Sequence, residues 1–158
     1  VSFVVYCDTF FSDTLPDMST LPKTTPDHKD AAFVIDQMEA ASAYLPIVLA
    51  SKAGIATISE YQPLVKPFFL QMTRARIRKA TPEPLDPRRI GDMLTAFSWV
   101  TWIDSPTIQN VVIARSLRRS SGRPIMWTEL AKAFRCSENA VRQRHAAGIA
   151  VIVAELSL

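Results

Sequence analysis

Residues 124–145 read Pro124-Ile-Met-Trp-Thr-Glu-Leu-Ala-Lys-Ala-Phe-Arg-Cys-Ser-Glu-Asn-Ala-Val-Arg-Gln-Arg-His145. With Trp127 as its first position, this stretch meets the demands of a helix-turn-helix. Hydrophobic Leu130 falls at position four. Small Ala131 falls at position five, where two steeply crossed helices must approach closely. Phe134 supplies a core side chain at position eight, Cys136 a small apolar plug in the turn, and Val141 the packing side chain at position fifteen. Ser137 is placed to cap the second helix through its hydroxyl. Arg135 stands where the turn usually carries glycine, and a left-handed backbone there costs about 1 kcal/mol for a residue with a Cβ.

The second helix must pack one face inward and offer the opposite face to the major groove. Val141, His145, Ile149 and Ile152 form the inward stripe. His145 is read as a packing histidine rather than a catalytic or metal-binding one. Glu138, Asn139, Arg142 and Gln143 point outward near the start of the helix and are the candidate base readers. Asn and Gln match adenine bidentately, and Arg matches guanine. Arg118, Arg119, Arg123, Lys132, Arg135 and Arg144 are the candidate phosphate contacts, which set register rather than sequence. The alternative for the whole stretch is an ordinary helical hairpin in a bundle. Against it stands the local charge: residues 115–145 carry eight Arg or Lys and two Glu.

That charge belongs to a wider asymmetry. Residues 1–71 hold four basic and eight acidic side chains, a net of −4, whereas residues 72–158 hold fourteen basic and seven acidic, a net of +7. A basic rear half behind an acidic front suggests a polyanionic partner. A solvated basic surface is the plainer reading. The chain is 48% hydrophobic and 21% charged, which is enough for a buried core and excludes disorder throughout. Its four glycines are few, and its eleven prolines mark breaks between segments, so helices separated by proline are favoured over an all-β fold.

Upstream of the motif the same punctuation recurs. Ser105-Pro106 and Asp86-Pro87 each pair a capping side chain with a proline at the first helical position. After Asp86, Ile90, Met93, Leu94, Phe97, Val100 and Ile103 follow at helical spacing, and Trp99 and Trp102 widen the apolar surface; both indoles are expected in the core. After Ser105 come Ile108, Val111, Val112 and Leu117, then Arg115, Arg118 and Arg119, with a break at residues 120–124. Pro63 opens another helix, with Leu64, Phe68 and Met72 on one face. Arg74, Arg76, Arg78 and Lys79 would close it, as cations suited to the negative end of a helix dipole or as phosphate contacts. The first helix is expected from Asp27 or Asp30 through Ala31, Val34, Met38, Ala41 and Leu45, with Pro46 ending it. Residues 47–60 fit either a helix or a connection.

Residues 18–29 are polar and proline-containing and read as a flexible leader. Met18 fits an alternative start, in which case residues 1–17 would not be native; the competing reading is a short strand or an extended arm packed on the domain. Val1 to Phe11 lacks the basic segment of a secretory signal. No apolar run approaches the ~20 residues that cross a bilayer. Cys7 and Cys136 are too few and too distant for a disulfide scaffold, and with His28 and His145 they give no zinc-ligand spacing. Cytosolic residence, with no metal and no cofactor, is the expectation. No nucleophile–base pair, glycine-rich phosphate loop or paired carboxylates point to an enzyme.

About Asp86 to Leu156, the chain resembles an uncharacterised family of small bacterial and phage-borne helix-turn-helix proteins. The resemblance rests on Trp99-Val-Thr-Trp102, the arginine-rich helix after it, and Trp127-Thr-Glu-Leu-Ala-Lys-Ala-Phe-Arg-Cys-Ser-Glu-Asn-Ala140. The helix Ala31–Leu45 looks like that family's opening amphipathic helix. The last helix is also similar to the DNA-reading helix of sigma factor region four. The resemblance implies a fold more than a role.

The expected fold is therefore all-α, a helical bundle of five or six helices with a C-terminal helix-turn-helix. Residues 30–80 form a platform packed as one domain with residues 86–158. The expected partner is double-stranded DNA, bound by a bacterial or prophage transcription regulator, and a regulator reading a palindrome would act as a homo-oligomer. Two alternatives remain: a phage DNA-packaging recognition subunit resembling small terminase, which would form a ring, and a helical bundle that binds protein and not DNA.

Overall fold

The computed structural model describes residues 29–72, 83–117 and 122–158. Among these the elements are helical, with no strand. They are α1 (Ala31–Leu49), α2 (Lys52–Ile58), α3 (Gln62–Gln71), α4 (Pro87–Trp99), α5 (Pro106–Ser116), α6 (Trp127–Ala133) and α7 (Glu138–Leu156), with 3-10 turns at Ser59–Tyr61 and Val100–Trp102. The all-α helical bundle expected from the sequence is the fold. The readings of residues 1–28, of the cationic run Arg74 to Lys79, and of Arg118 and Arg119 lie outside the described residues.

The cap-and-proline signals mark helix starts because each acts on its own backbone. Asp86 Oδ1 accepts from the Arg88 N–H at 2.9 Å, and Ser105 Oγ accepts from the Ile108 N–H at 3.4 Å. Of the two expected caps, Asp30 caps α1 and accepts from the Phe33 N–H at 2.9 Å, and Asp27 lies outside the described residues. The span left open at residues 47–60 resolves into the end of α1 and a new helix whose Ser51 Oγ accepts from the Gly54 N–H at 2.9 Å.

Pro46 does not end α1, which continues to Leu49. A proline inside a helix loses one backbone hydrogen bond and costs about 3 kcal/mol. Here Tyr44, Leu45 and Val48 around it are all buried. Each such side chain contributes roughly 1.5–3 kcal/mol, so burial outweighs the break. By length and composition α1 is also apolar enough to cross a membrane, which the sequence reading missed. In the fold it is a core helix. Val34, Met38, Ala41, Leu45 and Val48 line its buried side, while Ala31 at its start is exposed.

One core runs through most of the helices. It joins Val34, Met38 and Leu45 of α1 to Phe68 of α3, Met93 and Phe97 of α4, Ile113 of α5 and Ile152 of α7. α1 packs against α4 and α7, and α5 packs against α7. Phe68 and Phe97 stack with centroids 3.7 Å apart. In the centre Ser116 donates its hydroxyl to the Ile113 carbonyl at 2.7 Å, which leaves Ser42 to donate to Ser116 Oγ at 2.9 Å. Both buried hydroxyls are thereby satisfied, as buried polar groups must be. The Asp86 N–H donates to the Tyr44 hydroxyl at 3.1 Å, which ties the start of α4 to α1.

Trp99 is in the core as expected, but Trp102 is 38% exposed. The α-helix tightens to a 3-10 turn at Val100, and the changed angle per residue swings Trp102 outward while bringing Ile103 back to the core.

Candidate nucleic-acid interface

The short helix α6 is held at both ends by its own sequence. At its start the Met126 N–H donates to Glu129 Oε2 at 3.1 Å, the carboxylate half of a capping box. At its end Arg135 takes φ 51, the left-handed conformation expected where glycine is replaced. The Cys136 N–H then donates to the Ala131 carbonyl at 3.0 Å and the Arg135 N–H to the Lys132 carbonyl at 3.3 Å. These paired bonds make a Schellman motif, which satisfies carbonyls that the helix end would leave open. Ser137 follows at once, and its Oγ accepts from the Ala140 N–H at 3.1 Å to start α7.

The turn folds α6 onto the first half of α7. Leu130 and Val141 are buried with Val111 and Ala114 of α5, and Ile125, Trp127, Ala131, Phe134 and Cys136 pack around them. Trp127, Leu130, Ala131, Phe134, Cys136 and Val141 all fall in this small cluster, whereas Ile149 and Ile152 of the inward stripe join the main core. Further along α7, Gly148 permits a close crossing with α5. A Cβ there would lie 2.5 Å from Val112 Cγ2 and 2.9 Å from Ile108 Cγ2.

Trp127 joins three helices. The Arg115 guanidinium of α5 lies 4.5 Å from the ring centroid and also donates to the Ile125 carbonyl at 2.7 Å. The Arg142 guanidinium of α7 lies 5.2 Å from the same centroid, and His145 meets the ring edge-on at 5.3 Å. Burial, and then the charge of Arg115, lower the His145 pKa to about 4. The imidazole is therefore neutral at physiological pH, and it packs as the sequence reading expected.

The candidate base readers share the leading turns of α7, away from buried Val141. Asn139, Arg142 and Gln143 are exposed and Glu138 is half-buried. Arg142 does not extend freely. Its Nε donates to Glu138 Oε1 at 3.1 Å, and its Nη2 reaches the same oxygen. The sequence reading placed both residues outward but missed their pairing. The i,i+4 spacing of Glu before Arg was the available signal.

The candidate phosphate contacts divide. Lys132 and Arg135 are exposed on α6 and its turn, and Arg123 is exposed ahead of α6. Arg144 is half-buried, with Nη1 donating to Cys136 Sγ at 3.5 Å, so it is partly committed to the turn. Among the described residues no group of His, Cys, Asp and Glu side chains is arranged to hold a metal ion.

No protein-family model, curated protein or solved structure matches the chain.

Proposed function

We propose that this chain binds double-stranded DNA in a sequence-directed way through α6 and α7, as a bacterial or prophage transcription regulator. The observation that carries the reading is the turn at Phe134 to Ser137. Its paired backbone bonds and the Ser137 cap hold a seven-residue helix against α7 so that Val141 is buried and Asn139, Arg142 and Gln143 remain exposed at the leading end. That end of the second helix is the part that enters a major groove in this motif. Lys132, Arg135 and Arg123 add exposed cations around it, which supports contacts to flanking phosphates.

The test is duplex binding by the full chain at several salt concentrations, followed by selection of sites from random DNA. Binding should fall with a log–log slope of about −0.9 for each phosphate contact, and selection should return a defined site. Enrichment of a palindrome together with a dimer in solution fits a regulator. A ring-shaped oligomer would favour the packaging subunit, and binding that is absent or insensitive to salt would favour a protein-binding bundle.

A further inference from the structure

Arg142 is held side-on by Glu138, one turn earlier on the same helix. Glu138 is the first residue of α7, directly after the Ser137 cap, so its carboxylate sits at the positive end of the helix dipole. Its Oε1 takes the Nε and Nη2 side of the Arg142 guanidinium, while the guanidinium carbon lies 5.2 Å from the Trp127 ring centroid. This arrangement leaves the outer edge of the guanidinium, formed by Nη1 and the second Nη2 proton, without those partners. It also leaves Oε2 of Glu138 outside the bond to Arg142. A guanidinium edge presents two parallel donors, and a guanine presents the O6 and N7 acceptors they match. The paired cytosine presents an N4–H donor, which a carboxylate oxygen accepts.

We propose that Glu138 and Arg142 act as one reading unit for guanine–cytosine pairs. Arg142, braced by Glu138 and Trp127, donates to guanine O6 and N7. Glu138 accepts from a cytosine N4–H of the same or the adjacent pair. The carboxylate also disfavours seating α7 where no such donor is offered, because it then faces phosphates and acceptor edges with its charge unmet. Glu138 is thus a specificity-determining residue whose negative charge lowers affinity for arbitrary duplex. This inference rests on the reading that α7 enters a major groove.

Two variants test it together. Glu138→Gln removes the charge and keeps the shape. Arg142→Lys keeps the charge and loses the planar fork. Site selection from random duplexes should return a guanine–cytosine pair at a fixed position for the wild type, and that same position should become degenerate in both variants. The ratio of specific to scrambled binding should fall about tenfold in each. For Glu138→Gln the fall should include tighter binding to scrambled duplex. For Arg142→Lys the salt slope should stay unchanged. A thermal melt of each variant shows whether it is folded. If wild-type protein binds DNA but Glu138→Gln keeps both its preference and its ratio, Glu138 is only a helix-end charge and the inference is overturned alone. Loss of different positions in the two variants also overturns it. If the wild type binds no duplex, the inference falls together with the reading on which it rests.

Discussion

The imidazole of His145 meets the indole of Trp127 edge-on, with ring centroids 5.3 Å apart. The contact links α6 to α7, with the imidazole neutral at physiological pH. Burial first, and the nearby Arg115 charge second, hold its pKa at about 4. The unfolded chain has the ordinary value near 6.5, so between the two values the unfolded state binds more protons. Stability is therefore complete above about pH 6.5 and is lost as pH falls toward 4. At 1.36 kcal/mol per unit, the loss from this group approaches about 3 kcal/mol. Denaturant midpoints between pH 4 and 7 should show this slope in the wild type and a shallower one in His145→Phe. Parallel slopes for the two proteins would show that His145 is not the titrating group.

Arg135 carries a left-handed backbone at φ 51 without the freedom of glycine. Arg135→Gly should relieve up to about 1 kcal/mol of strain, reduced somewhat by the greater entropy of a glycine in the unfolded chain. Arg135→Ala keeps the strain and removes the same cation, so it is the control. The glycine variant should melt about 2–4 °C above the alanine variant. If both lose the same DNA affinity, the arginine acts as a cation and the turn tolerates it at a cost in stability. A glycine variant that melts no higher than the alanine variant would argue against a strained turn.

Gly148 lies where α7 crosses α5, and a Cβ there would overlap Val112 Cγ2 at 2.5 Å. Valine in a helix has little freedom to move aside. Alanine would gain about 1 kcal/mol of helix propensity, against which overpacking costs about 1–3 kcal/mol. Gly148→Ala should therefore destabilise the protein by about 1 kcal/mol, while Gly91→Ala, on an exposed helix position with open space, should stabilise it. Equal effects of the two substitutions in denaturant melts would mean that the helices separate at no cost.

What was legible in the sequence was mostly local. Asp86, Ser105 and Ser137 each bond to a backbone N–H two or three residues on, so the signal and its effect lie within one turn. The helix-turn-helix cluster was legible for a related reason, since most of its residues fall between Ile125 and Val141. Pro46 and Gly148 were not, because what decides them is far away in the chain. The helix passes through Pro46 because side chains of other helices bury Tyr44 and Val48, and Gly148 is required by Val112 and Ile108. The outward face of α7 was legible as a set of residues, but a helical wheel treats Glu138 and Arg142 as two separate readers. Their bond was signalled by the i,i+4 spacing, but the indole of Trp127 beside the guanidinium comes from α6, off the wheel.

Asn139 and Lys132 separate base reading from simple attraction to phosphate. Asn139 is exposed on the first turn of α7, and Lys132 is exposed on the last turn of α6. Neither packs in the core, so truncating either should leave the fold intact. Asn139→Ala should cost about 1–3 kcal/mol on the selected site, relax preference at one base pair, and leave the salt slope as it was. Lys132→Ala should weaken binding to every duplex by the same factor and make the slope shallower by about one unit, because one counterion fewer is released. Loss of positive charge alone predicts no effect of Asn139→Ala. Binding curves for both variants on selected and scrambled duplexes, at three or more salt concentrations, distinguish the cases. If Asn139→Ala behaves as wild type on the selected site, the leading turn of α7 does not read bases through that residue. If Lys132→Ala also leaves the slope unchanged, the exposed cations of α6 do not face the phosphates.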